Sequence, residues 1–274
     1  MSAARRPDWL TRFLWLLGIA VFVFIYTPLL VVVLYSFHKS RIIAWPLQLG
    51  TLDWYGVLWH DRGMVAAVVA SLKLSMLAVV ISLAVGVPGA FLLDRHDFPG
   101  KTLFQRLVLL PLILPGIITG VSLLTFFTFI HLRLSSGFPT VPGWPVVLGH
   151  GTALVSVVVT QVFARLQRMD RFQEEASTDL YANALKTFWY VTLPNIRTAL
   201  LCAALLVFTL SLDEIAVTFF LIGRQNTIPL QIWGLLRRGI TPEVNAISTI
   251  VFFVSVVVIV IWARLMHDPE GAKA

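Results

Sequence analysis

The chain has 274 residues, 58% of them hydrophobic and only 13% charged, where soluble domains carry roughly 25% charge. With 12% aromatics and a mean hydropathy of +0.84, there is more apolar surface than a soluble core can cover, which excludes a soluble globular domain. The net charge of +7 comes from cations set singly between apolar runs, a pattern that orients a chain in a bilayer; membrane lipid is therefore an expected partner and nucleic acid is not.

A helix needs roughly 20 mostly apolar residues to cross about 30 Å of hydrocarbon. Six stretches qualify, and the expected architecture is all-α integral membrane with six transmembrane helices. The first, 13–37, follows Arg5, Arg6 and Arg12; it is too long for a signal peptide and lacks a small-residue cleavage site, so it reads as a retained helix. An external segment of about 28 residues follows, with Trp45, Trp54 and Trp59 expected as interfacial anchors. The second span, 66–93, carries Lys73, and the third covers 107–131. A Pro/Gly-rich turn, "SSGFPTVPGWP", leads to the fourth at 146–164. The fifth, 198–222, holds Asp213 and Glu214, and the sixth covers 245–263.

Thirteen lysines and arginines fall on the side of the two termini and seven on the other, with Lys73 left inside a span. Positive-inside bias thus places both termini in the cytoplasm. The single cysteine, Cys202, lies in an apolar run and reads as a small packing residue, so no intrachain disulfide is possible.

No catalytic constellation is visible. The six histidines, His38, His60, His96, His131, His150 and His267, are scattered mostly at loop edges without metal-ligand spacing. "GKT" at Gly100–Thr102 lacks the glycine of a phosphate loop five residues earlier, where Arg95 stands, and no strand precedes it. No metal, cofactor or enzymatic activity is expected, and any nucleotide site must lie on another chain.

Between the fourth and fifth spans lies a charged stretch, "QEEASTDLYANALKTFWYVTLP", from Gln173 to Pro194. Its alanines and leucines favour helix, and Ala176, Leu180 and the Ala184/Leu185 pair recur at helical spacing. Such an element either caps its own bundle or docks into a partner's groove. Pro194 is where the segment is expected to turn into the next span.

This stretch resembles the cytoplasmic signature loop of ABC-importer permeases, whose pattern is E-A-A, three residues, G, nine residues, I-x-L-P. Glu175, Ala176, Val191, Leu193 and Pro194 fall in register, with Ser177 as the third small residue. Tyr181 stands where the family has a glycine, so the shape of that turn is the open point. "TLDWYGVLW", "SLKLSMLAVVISLAVGVPGAFLL", "FTLSLDEIAVTFFLIG" and "IPLQIWGLLRRGITPEVNAISTI" resemble, in order, the permease subunits of spermidine/putrescine-type importers. The resemblance implies a MetI-like permease fold: residues 1–65 as a first helix and periplasmic loop, 66–264 as the permease domain and 265–274 as a cytoplasmic tail. It also implies a bacterial inner-membrane location. The implied partners are cytoplasmic ATPase subunits, a second permease that is a sister chain, and a periplasmic substrate-binding protein. Glu175, Ala176, Ser177, Leu180, Tyr181, Ala182, Leu193 and Pro194 become the expected ATPase-coupling residues.

Three ionisable residues inside spans, Lys73, Asp213 and Glu214, are candidates for the translocation pathway. Glu214 lies about 12 Å and Lys73 about 10 Å from the same outer end, and Asp213 and Glu214 diverge by about 100° on a helix. They either meet a cationic amine, pair with Lys73 or cap a helix break. The expected substrate is polyamine-like, with an opine or aminophosphonate as the alternative because Lys73 opposes a polycation. An ion-driven secondary transporter using the same three residues as a proton relay is the other class considered.

Overall fold

A computed structural model describes residues 8–41, 46–133, 143–223, 225–239 and 241–266. Among these the chain is helical, with one isolated bridge between His38 and Leu49 in place of any strand. It divides into two compact units, Met1–Arg62 with Ile232–Ala274, and Gly63–Gln231.

In the first unit, α1 (Asp8–Tyr35) packs on α12 (Pro242–Met266), and α12 on α2 (Asp53–His60). α1 turns nearly all its apolar side chains outward, as a helix solvated by lipid does. The link from α1 to α2 is knitted by polar contacts. The Trp54 indole N–H donates to the His38 carbonyl at 2.7 Å, and Ser36 Oγ and Tyr55 OH lie 2.7 Å apart. Trp54 is therefore not the interfacial anchor expected from its position: it is buried, because its N–H has a partner inside. Trp59 is 80% exposed, as an anchor would be; Trp45 lies outside the described residues.

The second unit holds α3 (Arg62–Arg95), α4 (Lys101–Ile113), α5 (Gly116–Arg133), α6 (Trp144–Leu166), α7 (Phe172–Asp179), α8 (Ala184–Thr187), α9 (Leu193–Asp213) and α10 (Ala216–Leu221). A last helix, α11 (Ile228–Leu236), begins in it. Val158 and Val162 on α6 and Ile196, Ala203 and Val207 on α9 form a fully buried seam. The Ser82 hydroxyl reaches across from α3 to the Gly151 carbonyl at 2.9 Å, so small residues let these helices approach closely.

Two of the expected spans are not straight. The run read as 107–131 bends by 105° between α4 and α5. Leu114 is extended (φ −71°, ψ 134°), as a residue before a proline prefers, and Pro115 cannot donate the next helical bond. The run read as 198–222 stops at Asp213, and α10 begins at Ala216 after a break of two residues. Conversely, the turn expected at Pro194 is absent. The chain is helical from Ala184 to Asp213 and passes through a π segment at Phe188–Thr192, where the Leu193 N–H bonds to the Phe188 carbonyl. The wider turn accommodates the proline ring, and Asn195 Nδ2 donates to the Val191 carbonyl at 2.9 Å. Among the described residues four helices are long and apolar enough to span alone, and the bent α4–α5 pair, taken as one span, makes a fifth.

Candidate coupling site and intramembrane cleft

The signature stretch folds as two short helices around one tight turn. α7 starts after Asp170, whose carboxylate accepts the Phe172 N–H at 3.0 Å. It ends in a left-handed residue, Tyr181, with φ 60°, the only non-glycine with positive φ among the described residues. The Tyr181 N–H bonds to the Thr178 carbonyl at 2.9 Å and the Ala182 N–H to the Ser177 carbonyl at 3.1 Å. That pair of bonds is a Schellman motif, which normally calls for glycine at the position Tyr181 occupies. The question left by the missing glycine is thereby answered: the turn keeps the glycine geometry and bears the strain.

Asn183 Oδ1 then accepts the Lys186 N–H at 2.9 Å and caps α8. Ser177 and Thr187, with hydroxyls 2.8 Å apart, clamp the two helices together. Leu180 and Tyr181 project outward, 81% and 97% exposed, with Leu185 beside them at 66%. Glu175 and Ala176 are exposed and Ala182 is half-buried. Leu193 and Pro194 stand apart from this knuckle, at the start of α9. The acid that binds within the chain is Glu174 rather than Glu175. It pairs with Arg95 at 2.7 Å and accepts the Thr192 hydroxyl at 2.5 Å.

The two helix breaks face a common cleft of about 230 Å³, lined by Leu112, Leu114, Gly116, Thr119, His150 and Glu214 among others. Glu214 sits in the break itself, where its Oε1 accepts the Val217 N–H at 2.9 Å and caps α10. Its carbonyl accepts the Thr218 hydroxyl at 2.7 Å. Gly116 brings the backbone of α5 against this carboxylate: a Cβ there would sit 3.3 Å from Glu214 Oε1. Asp213 ends α9 and is exposed, and Lys73 is exposed on α3. No ion pair joins Lys73 to either acid among the described residues.

His150, read from sequence only as one of several scattered histidines, is a buried link across the break. Its Nδ1 lies 2.8 Å from Ser211 Oγ on α9 and its Nε2 2.8 Å from Thr218 Oγ1 on α10. A histidine four residues inside the apolar run 146–164 was the available signal, because a polar side chain there needs partners.

A profile of the family described as "Binding-protein-dependent transport system inner membrane component" matches residues 86–270. The chain belongs to that family. The match starts within α3 and takes in both helix breaks, the cleft and the α7–α8 knuckle. The permease is 36% identical over 237 residues to the putrescine transport system permease protein PotI of Escherichia coli, covering 84% of this chain and 82% of that one. It is 31% identical over 243 residues to the spermidine/putrescine transport system permease protein PotC of Haemophilus influenzae, covering 88% and 91%. A bacterial ABC transporter that imports the acidic polysaccharide alginate shares the fold, with a TM-score of 0.69 at 17% identity over 98% of this chain and all of that one. The alginate transporter in complex with its periplasmic protein gives a TM-score of 0.73 at 19% identity, over 96% and 95% of the two chains. The permease is thus a multi-pass inner-membrane transport component of a binding-protein-dependent ABC importer, and not an enzyme.

Proposed function

We propose that this permease moves a polyamine-like solute across the bacterial inner membrane, driven by ATPase subunits that dock on the α7–α8 knuckle. The observation that carries the docking reading is the knuckle itself, a hydrogen-bonded turn that leaves Leu180, Tyr181 and Leu185 exposed, with nothing among the described residues covering them. Glu175, Ala176, Ser177 and Ala182 shape that surface, and Leu193 and Pro194 connect it to α9. The polyamine reading rests on the relatives' names and on Glu214, a carboxylate held in a helix break beside a cleft. Such breaks are where transporters place substrate groups. Asp213 and Lys73 complete the candidate pathway. A sister permease and a periplasmic binding protein complete the importer, with six crossings and both termini cytoplasmic.

The experiment is capture of the tagged permease from membranes, wild type beside Glu175→Ala with Ala182→Asp, followed by uptake of labelled putrescine and spermidine. An ATPase retained by wild type and lost by the variant supports docking at the knuckle. No ATPase in either, with uptake that survives ATP depletion and collapses with an uncoupler, moves the permease to ion-driven transport. Normal uptake in both Asp213→Asn and Glu214→Gln removes the acids from the pathway.

A further inference from the structure

α7 buries none of its eight side chains, so apolar packing cannot fix where the knuckle sits. Polar side chains hold it instead, from the last turn of α3, from Thr187 and Thr192, and from Asn195 at the start of α9, whose Nδ2 donates to Gln173 Oε1 at 2.9 Å. Arg95 Nη2 lies 2.7 Å from Glu174 Oε2 and 2.8 Å from Oε1. The same Oε1 accepts the hydroxyl of Thr192, the last residue of the π segment. Just before α7, Arg171 Nη2 donates to the Asp94 carbonyl at 3.0 Å and approaches its carboxylate at 3.3 Å. Asp94 in turn lies 3.3 Å from Arg95 Nε, its side chain only 3% exposed.

Isolated surface ion pairs contribute little, but this is a network whose central members, Arg95 and Glu174, are 21% and 19% exposed. Beside it lies an open groove of about 390 Å³, bordered by Phe91, Arg95, Glu174, Phe188 and Thr192. The knuckle is tied to α3 and to the π segment by these bonds, beside the contact of the Phe91 and Phe188 rings at 5.9 Å between centroids. A push on α7 travels through those bonds.

We propose that Glu174 is the positioning residue that passes a displacement of α7 to two helices at once, to α3 through Arg95 and to the base of α9 through Thr192. α9 runs from this tie to the break at Glu214, so the same push reaches the cleft. The π segment suits the role, since single turns of this kind inside α-helices recur at functional sites. The proposal rests on the reading that ATPase subunits dock on the knuckle, and its test separates the two.

The complete importer, with its ATPase subunits and binding protein, is reconstituted in proteoliposomes with wild-type permease, Glu174→Gln, Thr192→Val or Thr192→Ser. Retained ATPase, ATP hydrolysed and solute delivered are measured on each. Glu174→Gln and Thr192→Val are expected to retain the ATPase subunits but to deliver roughly 2- to 30-fold less solute per ATP, the range seen for residues along a coupled network. Thr192→Ser, which keeps the hydroxyl, is expected to match wild type. Unchanged delivery per ATP in both Glu174→Gln and Thr192→Val overturns the proposal. A loss that tracks only the amount of ATPase retained also overturns it, since that is what a merely structural tie would give. Failure of wild type itself to retain an ATPase overturns the docking reading and takes this proposal with it.

Discussion

Tyr181 carries the sharpest local conflict in the chain. An L-residue in the left-handed region costs about 1–2 kcal/mol, yet the Schellman bonds around Tyr181 are both made. Tyr181→Gly should therefore be accepted at the turn. It relieves that strain and returns about 0.5–1 kcal/mol of it as added freedom in the unfolded chain. The expected net gain is about 0.5–1 kcal/mol, read as a higher melting temperature of the detergent-solubilised permease; a fall would mean the tyrosine ring is bound. His150 presents the opposite case, a polar residue that touches two buried hydroxyls: without it Ser211 loses its bond to α6, while Thr218 keeps its bond to the Glu214 carbonyl. Unpaired buried groups cost about 1–3 kcal/mol each, and interhelical bonds in membranes fall toward the low end. His150→Ala should lower unfolding stability by about 1–3 kcal/mol in the same assay. His150→Phe should fare no better, because it restores volume but neither bond.

The elements that were legible from the sequence are those whose signal is composition. α1, α3, α6 and α9 each contain an apolar run long enough to span, and the charged stretch after α6 stood out against them. What hydropathy cannot register is direction, since a window over 107–131 is equally apolar whether or not the chain bends at Leu114. "LPG" at 114–116 was the local signal for that bend, and Pro194 misled in the opposite sense because a π turn absorbed it. Glu175 was read from a motif, whereas Glu174 owes its bonds to Arg95, which lies 79 residues away and is not visible in any local pattern. The breaks place α5 against α10 closely enough to test. A Cβ on Gly120 would sit 2.7 Å from the Phe220 ring and 3.1 Å from the Ala216 carbonyl. The ring can rotate but the backbone cannot, so Gly120→Ala should destabilise by about 1–3 kcal/mol. It should also lower uptake more than expression, since α10 carries the amide that holds Glu214. Stability and uptake equal to wild type would mean that the two helices are free to move apart.

At the scale of the whole molecule, one orientation has to satisfy every reading. The thirteen cations on the side of the termini include those flanking the knuckle, so the knuckle must face the cytoplasm, where ATP is, if it receives an ATPase. The single cysteine makes this measurable, because Cys202→Ala leaves a background without thiols. In that background Trp59→Cys, on an 80% exposed position of α2, and Tyr181→Cys, on a 97% exposed one, each report the side of the membrane on which they lie. A maleimide that cannot cross membranes should label Trp59→Cys in intact spheroplasts and Tyr181→Cys only after lysis. Labelling of Tyr181→Cys in intact spheroplasts would put the knuckle outside, out of reach of any ATPase, and the charge bias would have to be explained otherwise. Given the expected result, protection of Tyr181→Cys from the maleimide in lysed membranes, lost when the ATPase subunits are stripped, would locate their footprint on the turn itself.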